Sequence, residues 1–225
     1  MSKDIFLSWS GGKDSARALY EIQQASDYRV AALLTTITED YDRISMHGVR
    51  RVLLEQQAEA LGLPLKKVYI PKDATNATYE SRMRALLEEG LREGIDTVAF
   101  GDIFLEDLKL YREKNLMQLG MQGLFPIWKR DSRELANSFI QLGFKAVVVC
   151  VDSKALDQSF VGKAIDRDFL RRLPAGVDPC GENGEFHSFV FDGPIFRGKV
   201  ECAVGETVLR DAFWFCDLQT VANSE

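Results

Sequence analysis

The sequence predicts an α/β fold: a parallel sheet with helices on both faces, followed by a smaller α+β region toward the C-terminus. Two observations lead there. Short apolar runs alternate with amphipathic helical stretches over about the first hundred residues, and strands joined through helices of that length need crossover connections, which make the sheet largely parallel. Beyond about residue 125 the texture shifts to Gly-, Pro-, Asp- and Asn-rich segments with short paired strands. The division expected from this shift is 1–125 and 126–225, a nucleotide region and then a substrate-facing one.

Residues 4–9, Asp-Ile-Phe-Leu-Ser-Trp, read as a buried strand feeding the tight turn at Gly11-Gly12, with a helix from about Ser15. Residues 30–36 form the second strand. Val49, Val52, Leu53, Ala60 and Leu61 recur at helical spacing until Gly62 and Pro64 stop that helix. Residues 67–70 are the third strand. Over 75–93, Tyr79, Met83, Leu86, Leu87 and Leu91 share one helix face, and 95–100 is a strand closing on Gly101-Asp102. Residues 132–142 read as an amphipathic helix, and 144–151 as a strand extending the same sheet. Segments 199–204 and 212–218 read as an antiparallel pair. In a sheet of this kind ligands sit at the C-terminal ends of the strands.

Composition narrows the function classes. With 46% hydrophobic residues in 225, the chain buries a core without disulfide staples. Cys150, Cys180, Cys202 and Cys216 lack the spacing of a zinc knuckle or redox motif and read as a reduced, cytoplasmic set. No apolar run reaches the length of a membrane span. The net charge of −6 argues against nucleic acid as a partner, since that binding depends on many Lys and Arg contacts. The sequence leaves the oligomeric state open and is compatible with a homodimer.

Ser10-Gly11-Gly12-Lys13-Asp14-Ser15 follows the first strand and opens the first helix, where unpaired backbone N–H groups and the helix dipole favour an anion. Phosphate is the expected ligand. The glycines allow the backbone to turn sharply and approach the oxygens, Lys13 supplies charge, and the Ser10 and Ser15 hydroxyls donate further hydrogen bonds. Asp14 would repel phosphate and is expected either to cap the helix or to help hold Mg²⁺. The spacing fits neither Gly-x-x-x-x-Gly-Lys-Ser nor Gly-x-Gly-x-x-Gly.

This loop resembles the signature of the PP-loop superfamily, of the adenine nucleotide alpha hydrolase-like kind, which implies a Rossmann-like nucleotide domain and the release of AMP and pyrophosphate from ATP. Gly101-Asp102-Ile103, Pro126-Ile127-Trp128 and above all the run from Gly176 to His187 resemble the ATP-binding family of diphthine–ammonia ligases. Asn183 and His187 depart from that family's usual Gly and Glu and resemble a bacterial-type branch. The resemblance implies an amide-forming ligase that uses ATP and Mg²⁺ to activate a carboxylate, diphthine-like or a small-molecule acid, for ammonia or an amine. The alternatives are a PP-loop tRNA-modifying enzyme and a nucleotide sensor without turnover.

The candidate catalytic residues are therefore Lys13, Asp14, Glu182 and Glu185. ATP is assigned to Ser10, Gly11, Gly12, Lys13, Asp14, Ser15, His47, Gly101 and Asp102, with Asp14 on the metal. Glu182, Asn183, Gly184, Glu185 and His187 are assigned to the second substrate, because two carboxylates in a polar loop can face one cavity and bind an amine or act as base. The alternative readings are a helix-start residue for His47, a helix N-cap for Asp102 and a surface ion pair for Arg112. Cys180 is the cysteine nearest the acidic loop.

Overall fold

A computed structural model describes residues 2–221. Strands β1 (Lys3–Ser8), β2 (Tyr28–Thr38), β4 (Leu65–Ile70), β5 (Thr97–Ala99) and β6 (Gln122–Leu124) pair in parallel in the order β4-β2-β1-β5-β6, and the two-residue β3 (Arg43–Ile44) adds antiparallel to the end of β2. Chain order reverses direction between β1 and β5. That switch point is where ligands bind in open α/β sheets.

Both faces of the sheet are covered, and alternate residues of β1 show why. Ile5 and Leu7 join α1 (Lys13–Ala25) and α2 (Arg51–Leu61) through Ala16, Leu19 and Leu53, whereas Phe6 joins Leu87 of α3 (Asn76–Arg92) and Leu116 of α4 (Glu106–Met117). Full burial of a side chain such as Phe6 stabilises by about 1.5–3 kcal/mol. The helix α2 ends on Gly62 at φ 67°, a left-handed cap suited to glycine.

A second sheet is antiparallel throughout, with order β8-β7-β10-β9 from β7 (Lys145–Asp152), β8 (Phe186–Asp192), β9 (Cys202–Arg210) and β10 (Phe213–Thr220). This corrects the expectation that 144–151 extends the parallel sheet. An apolar run such as Ala146 to Val151 is buried wholesale in either setting, so the run itself carries no pairing direction. The expected pair at 199–204 and 212–218 exists, with its first strand reaching to Arg210. The strand β8 lies inside the stretch rich in Gly, Pro, Asp and Asn, for which no strand was expected. Helices α5 (Ser132–Gln141) and α6 (Arg167–Arg172) flank this part.

The two sheets share one apolar cluster that runs from Ile5 and Leu19 to Val148 and Phe189. The join passes through the 10–15 loop: Val190 donates its N–H to Gly11 O at 2.9 Å, and Lys13 N–H reaches Ser188 Oγ at 3.1 Å.

Candidate active site

The turn after β1 is set by Gly11, whose φ of 78° favours glycine, and a Cβ there would lie 2.7 Å from Gln57 Oε1 and from Leu54 Cδ1. Gln57 is fully buried. It accepts from Trp9 Nε1 at 3.0 Å and donates to Gly11 O at 3.0 Å and to Val190 O, so one amide ties the loop, α2 and β8 together. The N-cap of α1 is Gly12, which has no side chain to satisfy the first-turn amides. Asp14 therefore does not cap the helix. Both of its carboxylate oxygens accept from Lys13 Nζ, at 2.9 and 2.7 Å.

Ser10, Gly12, Lys13, Asp14, Ser15, His47, Gly101, Asp102, Glu182 and His187 all line one cavity of about 210 Å³, with Ser8, Phe100, Arg112, Gly181, Phe186 and Ser188. The loop, the ends of β1 and β5, and the C-terminal segment thus converge. Gly101, two residues beyond β5, packs against the backbone of α1: a Cβ on it would sit 2.7 Å from the Asp14 carbonyl carbon and 2.9 Å from Ser15 N. Backbone cannot yield as a flexible side chain can. Gly101→Ala is expected to weaken nucleotide binding about tenfold or more, from overpacking of about 1–3 kcal/mol, and titration calorimetry checks it.

Asp102 lies beside this approach and receives Arg112 Nε at 2.7 Å and Nη2 at 3.2 Å, while the guanidinium sits 4.4 Å from the centroid of Phe100. It caps no helix, since the N-cap of α4 is Leu105. Glu182 Oε1 accepts from Ile103 N at 2.7 Å and more weakly from Phe104 N at 3.4 Å, which pins the C-terminal loop to the end of β5.

Glu185, Asn183 and Gly184 do not line the cavity. The Glu185 carboxylate is taken up by Asp178 N, Asn183 N and Asn183 Nδ2, each at 3.0 Å. With Asp178 Oδ1 accepting from Cys180 N at 2.9 Å and Glu182 N at 3.2 Å, it shapes the turn that presents Glu182. Positive φ at Gly181 and Gly184 lets the chain reverse twice in this short stretch.

Electrostatics separate the roles further. Burial pulls the Lys13 ammonium down, but Asp14 bonded to it more than restores the charge and leaves its pKa above the ordinary value. Burial raises the Asp14 carboxyl despite Lys13, and Asp178 and Asp102 add to the rise. Burial pushes Glu182 up to about 7, against the two backbone N–H groups that favour its charged form. His47 and His187 stack with centroids 4.5 Å apart. Burial, with repulsion from His187, holds His47 well below its usual range, and burial with Lys13 nearby brings His187 to about 4, so both imidazoles are neutral at pH 7. Burial raises the Cys180 thiol, whose Sγ donates to Ser132 O, which leaves it protonated and unreactive.

Gln57 and Ser188 were not foreseen. Neither stands in a motif, and each acts through partners far off in sequence. Ser188 had a local signal, its place one residue after His187.

Residues 3–123 match the family model for the diphthamide synthase N-terminal domain, and residues 131–223 the model for its C-terminal domain. The chain is 25% identical to the human diphthine–ammonia ligase over 229 residues, which covers 90% of this chain and 84% of that protein. The diphthine–ammonia ligase of Danio rerio is 28% identical over 230 residues, covering 91% of this chain and 89% of that protein. The Schizosaccharomyces pombe diphthine–ammonia ligase is 26% identical over 236 residues, of which the match spans 38% of that longer protein. Among solved structures, the U34-tRNA thiolase NcsA from Methanococcus maripaludis overlaps 63% of this chain and 57% of its own, at 16% identity and a TM-score of 0.37. Matched by the first family model over more than half its length and by the second over most of the remainder, this chain belongs to the diphthamide synthase family.

Proposed function

We propose that the chain is an ATP-dependent, amide-forming ligase that activates a carboxylate as its acyl adenylate and passes the acyl group to ammonia or an amine. The observation that carries this reading is the shared cavity, in which the Lys13 loop and the Glu182 carboxylate face the same space. Family membership supports the ligase class, and the loop supports ATP as the activating substrate. Residues 1–125 supply the nucleotide half and 126–225 the acceptor half.

ATP places its phosphates on the first-turn amides of α1 beyond Lys13, whose own N–H is held by Ser188 Oγ, with the Lys13 ammonium and the Ser10 and Ser15 hydroxyls around them. A carboxylate oxygen of the acid attacks the α-phosphorus, the bond to the β-phosphate bridge oxygen breaks, and pyrophosphate leaves. The nitrogen of ammonia or an amine then attacks the acyl carbon, AMP departs with the former carboxylate oxygen, and the nitrogen loses a proton. Glu182 is placed to take that proton, since a carboxylate titrating at about 7 is half available at neutral pH. Lys13 is charged at that pH and stabilises the charge that gathers on the phosphates. His47 and His187 act as neutral hydrogen-bond partners for nucleotide and acceptor, with His47 Nδ1 buried and unpartnered among the described residues.

Mg²⁺ fits the donor set. It takes one or two carboxylates and completes its shell from phosphate and water, and Asp14 offers a carboxylate whose pKa is raised chiefly by burial, with Asp178 and Asp102 adding negative charge that a cation would relieve. When bound, Mg²⁺ neutralises phosphate charge.

Phosphorus NMR of the products tests the reaction class. Incubation with ATP, Mg²⁺, ammonium and a panel of carboxylic acids is expected to give AMP and pyrophosphate in equal amounts, whereas ADP with phosphate would sink the assignment.

A further inference from the structure

A second cavity, of about 300 Å³, opens between the 38–48 segment and the β9–β10 hairpin. It shares a wall with the first, because His47 lines the ATP-side cavity while Met46 and Gly48, its chain neighbours, line this one. It also lies at the ligand edge of the parallel sheet, since Thr38, the last residue of β2, is part of its lining. Its lining includes the apolar side chains of Ile44, Val208 and Phe215. Gly48 lets Phe215 approach: a Cβ there would be 2.8 Å from the ring.

The charges around it are Arg43, Lys72 and Arg210 against Asp211 and Asp217. Asp217 is already spent internally. Its Oδ1 accepts from Arg43 at 2.8 Å and Arg50 at 3.0 Å, and its Oδ2 from Arg50 at 2.7 Å. No carboxylate among the described residues forms an ion pair with Arg210 or Lys72. Lys72 instead lies 5.6 Å from the ring centroid of Tyr41. In a chain of net charge −6 this is a local reversal of sign.

The first cavity has the opposite balance, with Lys13 and Arg112 facing Asp14, Asp102 and Glu182. An acceptor with two anionic groups would meet repulsion from both these carboxylates and the triphosphate if it placed both groups there. Across the 45–48 turn its second charge finds a complement in Arg210 and Lys72.

Resting on the adenylation reading above, we propose that this second cavity holds the body of the acceptor acid, and that the acceptor is a small molecule carrying a second anionic group on an apolar or aromatic stem. The stem lies on Phe215 and Ile44, the remote anion meets Arg210 and Lys72, and the reacting carboxylate points past His47 toward the α-phosphorus.

Calorimetry on the full chain tests this with adipate and phthalate as probes, and hexanoate and benzoate as their singly charged counterparts, with and without saturating AMP. The dianions are expected to bind about tenfold or more tightly than the monoanions, the size of one charge-assisted contact. Arg210→Gln and Lys72→Gln should each remove about that factor while leaving ATP affinity within about twofold, since neither touches the first cavity, and thermal melts verify their folding. Dianion binding that equals monoanion binding, is indifferent to both substitutions, or competes with AMP would overturn the proposal. Loss of the underlying ligase reading is seen separately, as absent ATP binding by the unaltered chain, and that result removes the acceptor assignment as well.

Discussion

Lys13→Ala is expected to lower pyrophosphate-forming turnover by about 10²–10³-fold, the usual cost of removing a preorganised donor from the site of developing charge. Lys13 is almost wholly buried and makes two bonds to Asp14 as well as facing Phe186 at 5.3 Å. Its removal therefore takes the charge partner from the phosphates and leaves Asp14 buried without its cation. A paired substitution separates the two consequences: Lys13→Ala with Asp14→Asn restores the charge balance, so recovery of the melting temperature without recovery of turnover would assign the loss to phosphate binding. Unchanged ATP affinity and turnover in Lys13→Ala would contradict the phosphate-loop assignment.

Glu182→Gln is expected to cut turnover by about 10²-fold or more while ATP affinity holds, as befits a general base for the nucleophile. The substitution is conservative in shape, because a glutamine Oε1 still accepts from Ile103 N, the 2.7 Å bond that anchors the loop. The pH dependence supplies the sharper test. With Glu182 titrating at about 7, its base form grows as pH rises, so turnover should climb through pH 7 and the Gln variant should lose that limb. Stability runs the other way. A carboxyl whose folded pKa lies above its unfolded value contributes stability that is fully present below the unfolded value and lost as pH rises through about 7, so the parent chain should lose ground to the Gln variant above neutrality. A Gln variant with the parent's turnover and pH profile would exclude Glu182 as the base.

Glu185 shows why the loop's two carboxylates could not be told apart in the sequence. Three-residue spacing is compatible with one shared cavity, but the positive-φ reversals at Gly181 and Gly184 turn Glu185 inward onto Asp178 and Asn183. The 10–15 loop was legible as a strand-to-helix junction because its residues are contiguous and its glycines and the opening of α1 are local features. Four of the five parallel strands were legible for the same local reason, as each of those apolar runs was bounded by a helix of crossover length, whereas the three-residue β6 carries too short a run to be read. What could not be read was nonlocal. The membership of β7 in the second sheet is decided by its partners β8 and β10, not by its own apolar residues. Gln57 and Ser188 hold the loop through bonds spanning 46 and 175 positions, a separation no motif records.

If the acid's own oxygen attacks the α-phosphorus of ATP, that oxygen is carried into AMP, and isotope transfer records it. With an acid selected for stimulating pyrophosphate release and labelled with ¹⁸O in its carboxylate, mass spectrometry of the nucleotide product is the measurement. One labelled oxygen should appear in AMP for each amide formed. Unlabelled AMP beside labelled pyrophosphate, or ADP beside labelled phosphate, would contradict adenylation and place the attack at another phosphorus.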